Sequence, residues 1–184
     1  MKLPIYIYGM PVLRRVADDV ELNREELDVL KADMFETLDA SGGIGLAAPQ
    51  IGRSIRVVVI DLDVLSDDLP EYKGFHRVFY NAHILETAGD TETMEEGCLS
   101  LPGISEKVTR PTRIHVTYYD DELQPHDEWV GGYLARVMQH EFDHLEGHMF
   151  IDHLSPFRRQ MLKSKLQGFL KGKVNCSYRV KTKS

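Results

Sequence analysis

Two cysteines in 184 residues, Cys98 and Cys176, are too few for a disulfide framework, so each sulfur is read as a thiol, a metal ligand or a packed apolar group. No run approaches 18 apolar residues, which excludes a membrane-spanning helix, and Met1-Lys2-Leu3-Pro4-Ile5-Tyr6 lacks the apolar stretch of a secretion signal. The cytoplasm is therefore the expected location, with no membrane partner. Repeats, low-complexity tracts and Pro/Ser/Gly-rich linkers are also missing, so residues 1–184 are expected to form a single domain. Acid is missing from one region: no Asp or Glu follows Asp152, and residues 153–184 hold nine Lys or Arg. The net charge of −7 thus splits into 13 bases minus 29 acids, or −16, before that point and +9 after it. A basic C-terminal helix and tail from about residue 155 is expected, either a solvated face or a surface for a polyanion.

What is present is ample core material, 42% hydrophobic residues, in a pattern of mixed period. Asn23 followed by Glu26 looks like a capping box, and Leu27, Leu30, Met34 and Leu38 recur at helical spacing until Ser41-Gly42-Gly43 stops the run. A Gly-rich loop, Gly43 to Gly52, precedes Ile55 to Asp61, whose Val57-Val58-Val59-Ile60 predicts a strand buried on both faces. Residues 62–74 read as loop, Arg77 to Leu85 as strand, and the acidic stretch Glu86 to Glu96 as neither. Alternation at Ile104, Glu106 and Val108, then at Ile114, Val116 and Tyr118, predicts antiparallel strands joined through Arg110-Pro111. Gly132 to Glu146 turns helical with Gly147 as its C-terminal cap. Ser155-Pro156 opens a last helix with Phe157, Met161, Leu162, Leu166, Phe169 and Leu170 on its apolar side. Val174, Cys176, Tyr178 and Val180 then alternate like a short strand. The fold class expected is α+β: antiparallel strands around a central metal-binding helix, with a C-terminal helix.

Chemistry concentrates in three segments. His140-Glu141-Phe142-Asp143-His144 sets two imidazoles one helical turn apart, where both can hold one metal ion, while Glu141 points about 100° away and suits a water rather than the ion. A catalytic site needs a third ligand and an open position, and Cys98, between glycines in Glu96-Gly97-Cys98-Leu99-Ser100, is the best candidate. Cys176 is read as a packed apolar residue. The loop Gly43-Ile44-Gly45-Leu46-Ala47-Ala48-Pro49-Gln50 lacks the Lys-Ser/Thr ending of a phosphate cradle, so nucleotide binding is rejected. Its Gln50 is an uncharged amide donor suited to a developing oxyanion.

Together these segments resemble the peptide deformylase family, whose signatures G-x-G-x-A-A-x-Q, E-G-C-L-S and Q-H-E-x-D-H-x-x-G are all complete here. They run Gly43 to Gln50, Glu96 to Ser100 and Gln139 to Gly147, and the likeness takes in Pro11-Val12-Leu13-Arg14 and Leu154-Ser155-Pro156. The resemblance implies a metal held by Cys98, His140 and His144, with Glu141 moving the proton and the Gln50 amide and Leu99 N–H meeting the oxyanion. It implies N-formyl-methionyl nascent peptides as substrates, with formate released. Ligand chemistry alone points to zinc, since Cys/His₂ is a familiar catalytic set; the resemblance moves this to Fe²⁺, with Zn²⁺ or Ni²⁺ as substitutes. Val137 and Tyr133, one and two turns before the His140-Glu141 pair, are candidates for the methionine pocket, with Ile44, Gly45 and Gly97 opposite. Glu96 is expected to pair with Arg110 and steady the Cys98 segment. Two other readings stay open at this point: a zinc metalloprotease, and a metal- or ribosome-binding module that uses the basic C-terminus on RNA. An RNA contact also suits the deformylase as an addition, in which case truncation after Gly168 weakens ribosome association and spares small-peptide turnover.

Overall fold

The computed structural model describes residues 1–183. In chain order its elements are β1 (Ile5–Tyr6), α1 (Arg24–Ser41), β2 (Gly45–Ala47), β3 (Val57–Asp61), β4 (His76–Cys98), β5 (Leu101–Tyr119), β6 (Pro125–Val130), α2 (Gly132–Leu145), α3 (Pro156–Leu170) and β7 (Val180–Lys181). Strands β2 to β6 form one antiparallel sheet in sequence order, and β1 pairs with β7 in parallel. The architecture is the mixed α/β arrangement expected, with antiparallel strands, a central helix and a helix near the C-terminus.

Strand β3 shows why α1 and α2 lie where they do. Val57 and Val59 face a cluster that contains Leu27, Leu30, Met34 and Leu38 of α1, whereas Val58 and Ile60 face one that contains Val137, Met138 and Phe142 of α2. Successive side chains of a strand point to opposite faces, so a run of four buried β-branched residues demands cover on both. α1 starts where Asn23 accepts a hydrogen bond from the Glu26 N–H at 3.3 Å and ends at Gly42 in the left-handed region. The box is half formed, because the Asn23 N–H goes to the Glu21 carbonyl instead. α2 is buried around most of its circumference and includes Arg136, Gln139, Glu141 and His144 among its buried residues. Gly147 follows it at φ +76, where a Cβ would meet the Arg14 carbonyl at 2.7 Å, so the helix exit and the Pro11–Arg14 turn fit only with glycine there.

Several expectations are corrected. Part of the Gly-rich loop is a strand, β2, paired with β3. The segment Glu86 to Glu96 belongs to a 23-residue strand. Its pairing explains why poor strand formers are tolerated: Glu92 stands opposite Arg110 and Glu95 opposite Lys107, so cross-strand charge offsets weak propensity. β5 runs straight through Arg110-Pro111 as a single strand. Pro111 sits opposite Thr91, beside a register shift, and before the stretch of β5 that β6 covers, where a missing N–H costs little. On α3 only Leu162 and Phe169 are buried; Phe157 and Met161, expected on the apolar side, are 71% and 60% exposed because the helix touches the body along one narrow seam. The alternation at 174–180 yields a strand only at Val180–Lys181.

Candidate active site

The long β4–β5 hairpin turns at Leu99 and Ser100, with Cys98 opposite Leu101, and this tip meets α2. Cys98 Sγ lies 3.4 Å from His144 Nε2, and the ligand atoms of Cys98, His140 and His144 fall within 4.8 Å of one another. Helical pitch supplies His140 and His144, and the hairpin supplies the sulfur. Burial opposes the Cys98 thiolate, but the imidazoles of His144 and His140 outweigh it and pull the thiol down to about 5.

Behind His140 is a buried ionic cluster. The His140 Nδ1 bonds to Glu96 at 2.7 Å, which turns Nε2 toward the sulfur. Glu96 also accepts from Arg110 at 2.6 and 3.0 Å and from Arg136 at 2.7 Å. Burial alone lifts the Glu96 carboxyl, yet the His140 and Arg110 hydrogen bonds hold it well below the usual carboxylate range. The Glu96–Arg110 pair expected from the sequence is thus present; Arg136 was missed, and the signal for it was a cation one turn before His140 among Ala135, Val137 and Met138. Arg110 continues to Asp143 at 3.0 Å, and Asp143 to His153 at 2.8 Å.

On the open side is a cleft of about 520 Å³. Ile44, Gly45, Gly97, Leu99, Tyr133 and Val137 all line it, together with Gln50, Cys98, His140 and Glu141. Gly45 must be glycine: a Cβ would come within 2.7 Å of Glu141 Oε1. Glu141 Oε1 is 4.0 Å from His140 Nε2, whereas its Oε2 is buried with no hydrogen-bond partner among the described residues, as is His144 Nδ1. Burial raises the Glu141 carboxyl above its ordinary value despite the two imidazoles. Gln50 accepts from the Ala47 N–H at 2.9 Å, so its amide nitrogen is presented to Ser100 Oγ at 3.2 Å and Cys98 Sγ at 3.5 Å. Ser100, which sequence reasoning passed over, is what orients that amide. A thiolate, two imidazoles and an unpartnered carboxylate oxygen at the foot of a cleft suit a divalent ion and a water.

The chain is similar to known proteins along nearly its whole length. A family model described as polypeptide deformylase matches residues 2–160. The peptide deformylase of Cytophaga hutchinsonii is 45% identical over 183 residues, covering 98% of this chain and 97% of that protein. That of Salinibacter ruber is 44% identical over 187 residues, 100% of this chain and 96% of its own. The crystal structure of peptide deformylase from Thermus thermophilus superposes with a TM-score of 0.82 at 40% identity, covering 94% of this chain and 99% of that one. No helix among the described residues is long and apolar enough to cross a membrane.

Proposed function

The chain belongs to the peptide deformylase family, metal-dependent amidohydrolases that remove the N-terminal formyl group from nascent peptides, and from that premise we propose a role for each residue of the cleft. Cys98, His140 and His144 hold one ion, Fe²⁺ in the cell, for which Zn²⁺ or Ni²⁺ substitutes. The observation that carries this is the convergence of three donor atoms within 4.8 Å beside Glu141, one of whose buried carboxylate oxygens has no hydrogen-bond partner among the described residues. When bound, a divalent ion polarises the formyl oxygen and lowers the pKa of water from 15.7 toward roughly 7.

The chain's own groups do the rest. Glu141, its carboxyl already raised by burial, takes the proton of the attacking water and returns it to the leaving amine, so that formate and a free amino terminus result. The Gln50 amide nitrogen, aimed by Ala47 and Ser100, and the Leu99 N–H donate to the formyl oxygen as charge gathers on it. The methionine side chain fills the cleft between Ile44, Gly45 and Gly97 on one side and Tyr133 and Val137 on the other, an apolar slot that takes an unbranched thioether. Formate release from an N-formyl-methionyl tripeptide by anaerobically prepared, ferrous-loaded protein tests the whole assignment. Release that vanishes in Glu141→Gln is the expected result, and no release from protein shown to hold one ion overturns it.

The reaction is placed in the cytoplasm, on chains still leaving the ribosome, with the basic face of α3 touching ribosomal RNA. What supports the contact is charge: Arg159, Lys163 and Lys165 are exposed on a segment without acid. Co-sedimentation with ribosomes that fades with salt, and is lost in Lys163→Glu/Lys165→Glu, is expected; salt-independent behaviour removes the contact.

A further inference from the structure

Four residues beyond α3 also line the cleft: Asn175, Cys176, Ser177 and Tyr178. They lie past residue 160, where the match to the family model stops. Two anchors bring them back. Ile5 N donates to Arg179 O at 2.9 Å and Ile7 N to Lys181 O at 3.0 Å, which is the β1–β7 pairing. Tyr178, half-buried, donates its hydroxyl to the Leu99 carbonyl at 2.8 Å. Burial, supported by the nearby sulfurs, raises the Tyr178 phenol and keeps it protonated as that donor.

Leu99 is one of the two residues of the hairpin turn, and the turn is clamped at three points. Tyr8 N donates to the Ser100 carbonyl at 2.9 Å, the Gln50 amide to Ser100 Oγ, and Tyr178 to Leu99 O. The first two fix the Ser100 side of the turn, and among the described residues Tyr178 supplies the side-chain hydrogen bond to Leu99, whose N–H is assigned to the oxyanion. Asn175, Cys176 and Ser177 carry no charge, and their backbone N–H and C=O groups make no hydrogen bond with another described residue. A segment with free peptide groups beside a cleft, bent at Ser177 and Tyr178, is an edge to which another peptide can hydrogen-bond.

We propose that residues 175–178 are a wall of the substrate cleft that binds the peptide backbone following the methionine, and that Tyr178 is a positioning residue for Leu99. The inference rests on the deformylase reading above and departs from the expectation that truncation after Gly168 spares small-peptide turnover.

The test compares the full chain with a truncation after Lys173, with Ser177→Pro, which removes one backbone donor from the edge, and with Tyr178→Phe. Metal content and thermal unfolding are measured for each. Substrates are formyl-Met-Ala-Ser and formyl-methionine amide, and the unreactive product Met-Ala-Ser is titrated by calorimetry. The truncation is expected to raise KM for the tripeptide about tenfold more than for the amide, and to weaken Met-Ala-Ser binding in step. Ser177→Pro should do the same to a smaller extent, and it carries the test if the truncated chain fails to fold. Tyr178→Phe should lower kcat about fivefold on both substrates with KM held within about twofold. Tail variants that keep their metal and the full chain's KM ratio, product affinity and kcat overturn the proposal alone. A full chain that cleaves neither substrate overturns the reading beneath it.

Discussion

Glu96 and Glu141 are both buried, and both reach His140 from opposite sides, yet the chain treats them in opposite ways. Glu96 meets the Nδ1 side at 2.7 Å and is surrounded by Arg110 and Arg136, so burial is overcome and its carboxyl stays ionised. Glu141 approaches the Nε2 side at 4.0 Å, has one oxygen with no partner among the described residues, and is pushed up by burial. A carboxylate whose hydrogen-bonding capacity is filled can orient a neighbour but cannot accept a proton at ordinary pH. One left incomplete in a dry site is poised to do so. The same imidazole therefore divides a framework, where polar groups are satisfied in advance, from a reaction space where they are not.

That contrast breaks or sharpens under substitution. The largest effect belongs to Glu141→Gln, which should cost about 10³-fold in kcat, or roughly 4 kcal/mol, while metal content and urea unfolding stay near the parent's. Glu96→Ala should show the converse. With Arg136 left buried without a carboxylate and Arg110 left with Asp143 alone, it should lose about 3 kcal/mol of stability by urea unfolding, and metal affinity should fall on the order of tenfold or more. An unfolding curve for Glu96→Ala that overlays the parent's would erase the distinction between the two carboxylates. Gly45→Ala probes the open side sterically: its Cβ, 2.7 Å from Glu141 Oε1, should displace the carboxylate, cutting kcat about tenfold at a stability cost of about 1 kcal/mol. The smallest effect concerns a carboxylate away from the cleft. Burial raises Asp152, but the Arg14 hydrogen bond and the Met149 N–H lower it overall. A folded-state pKa below the unfolded value of about 3.9 means its stabilisation is whole above about pH 4 and drains away as pH falls through the depressed value. Asp152→Asn should cost on the order of 1 kcal/mol at pH 7, and progressively less as the pH is taken below about 4, measured by unfolding at each pH.

Legibility in the sequence followed local periodicity. α1 and α2 were visible because Leu27, Leu30, Met34 and Leu38, or His140 and His144, repeat with the helix itself. The three site segments were visible because glycine, cysteine and histidine at fixed spacing carry chemistry irrespective of neighbours. What escaped was set by partners distant in the chain. Glu86 to Glu96 has no strand propensity of its own and becomes strand through Lys107 and Arg110 on β5. Arg136 and Ser100 acquire a role only once Glu96 and Gln50 have been brought beside them. Phe157 and Met161 had the spacing of core residues, and spacing alone does not say whether another element arrives to cover them.

The parallel pair of β1 and β7 has a consequence in time. Ile5 and Tyr6 are synthesised some 175 residues before their partners Val180 and Lys181. At 5–20 residues per second, β1 waits roughly ten to thirty seconds for the strand that completes it. The elements that set His140, Glu141 and His144 emerge well within that interval, and the anchored tail emerges after them. An enzyme of nascent chains is thus itself a nascent chain in which β1 finds its partner only after the helix of the site has been made.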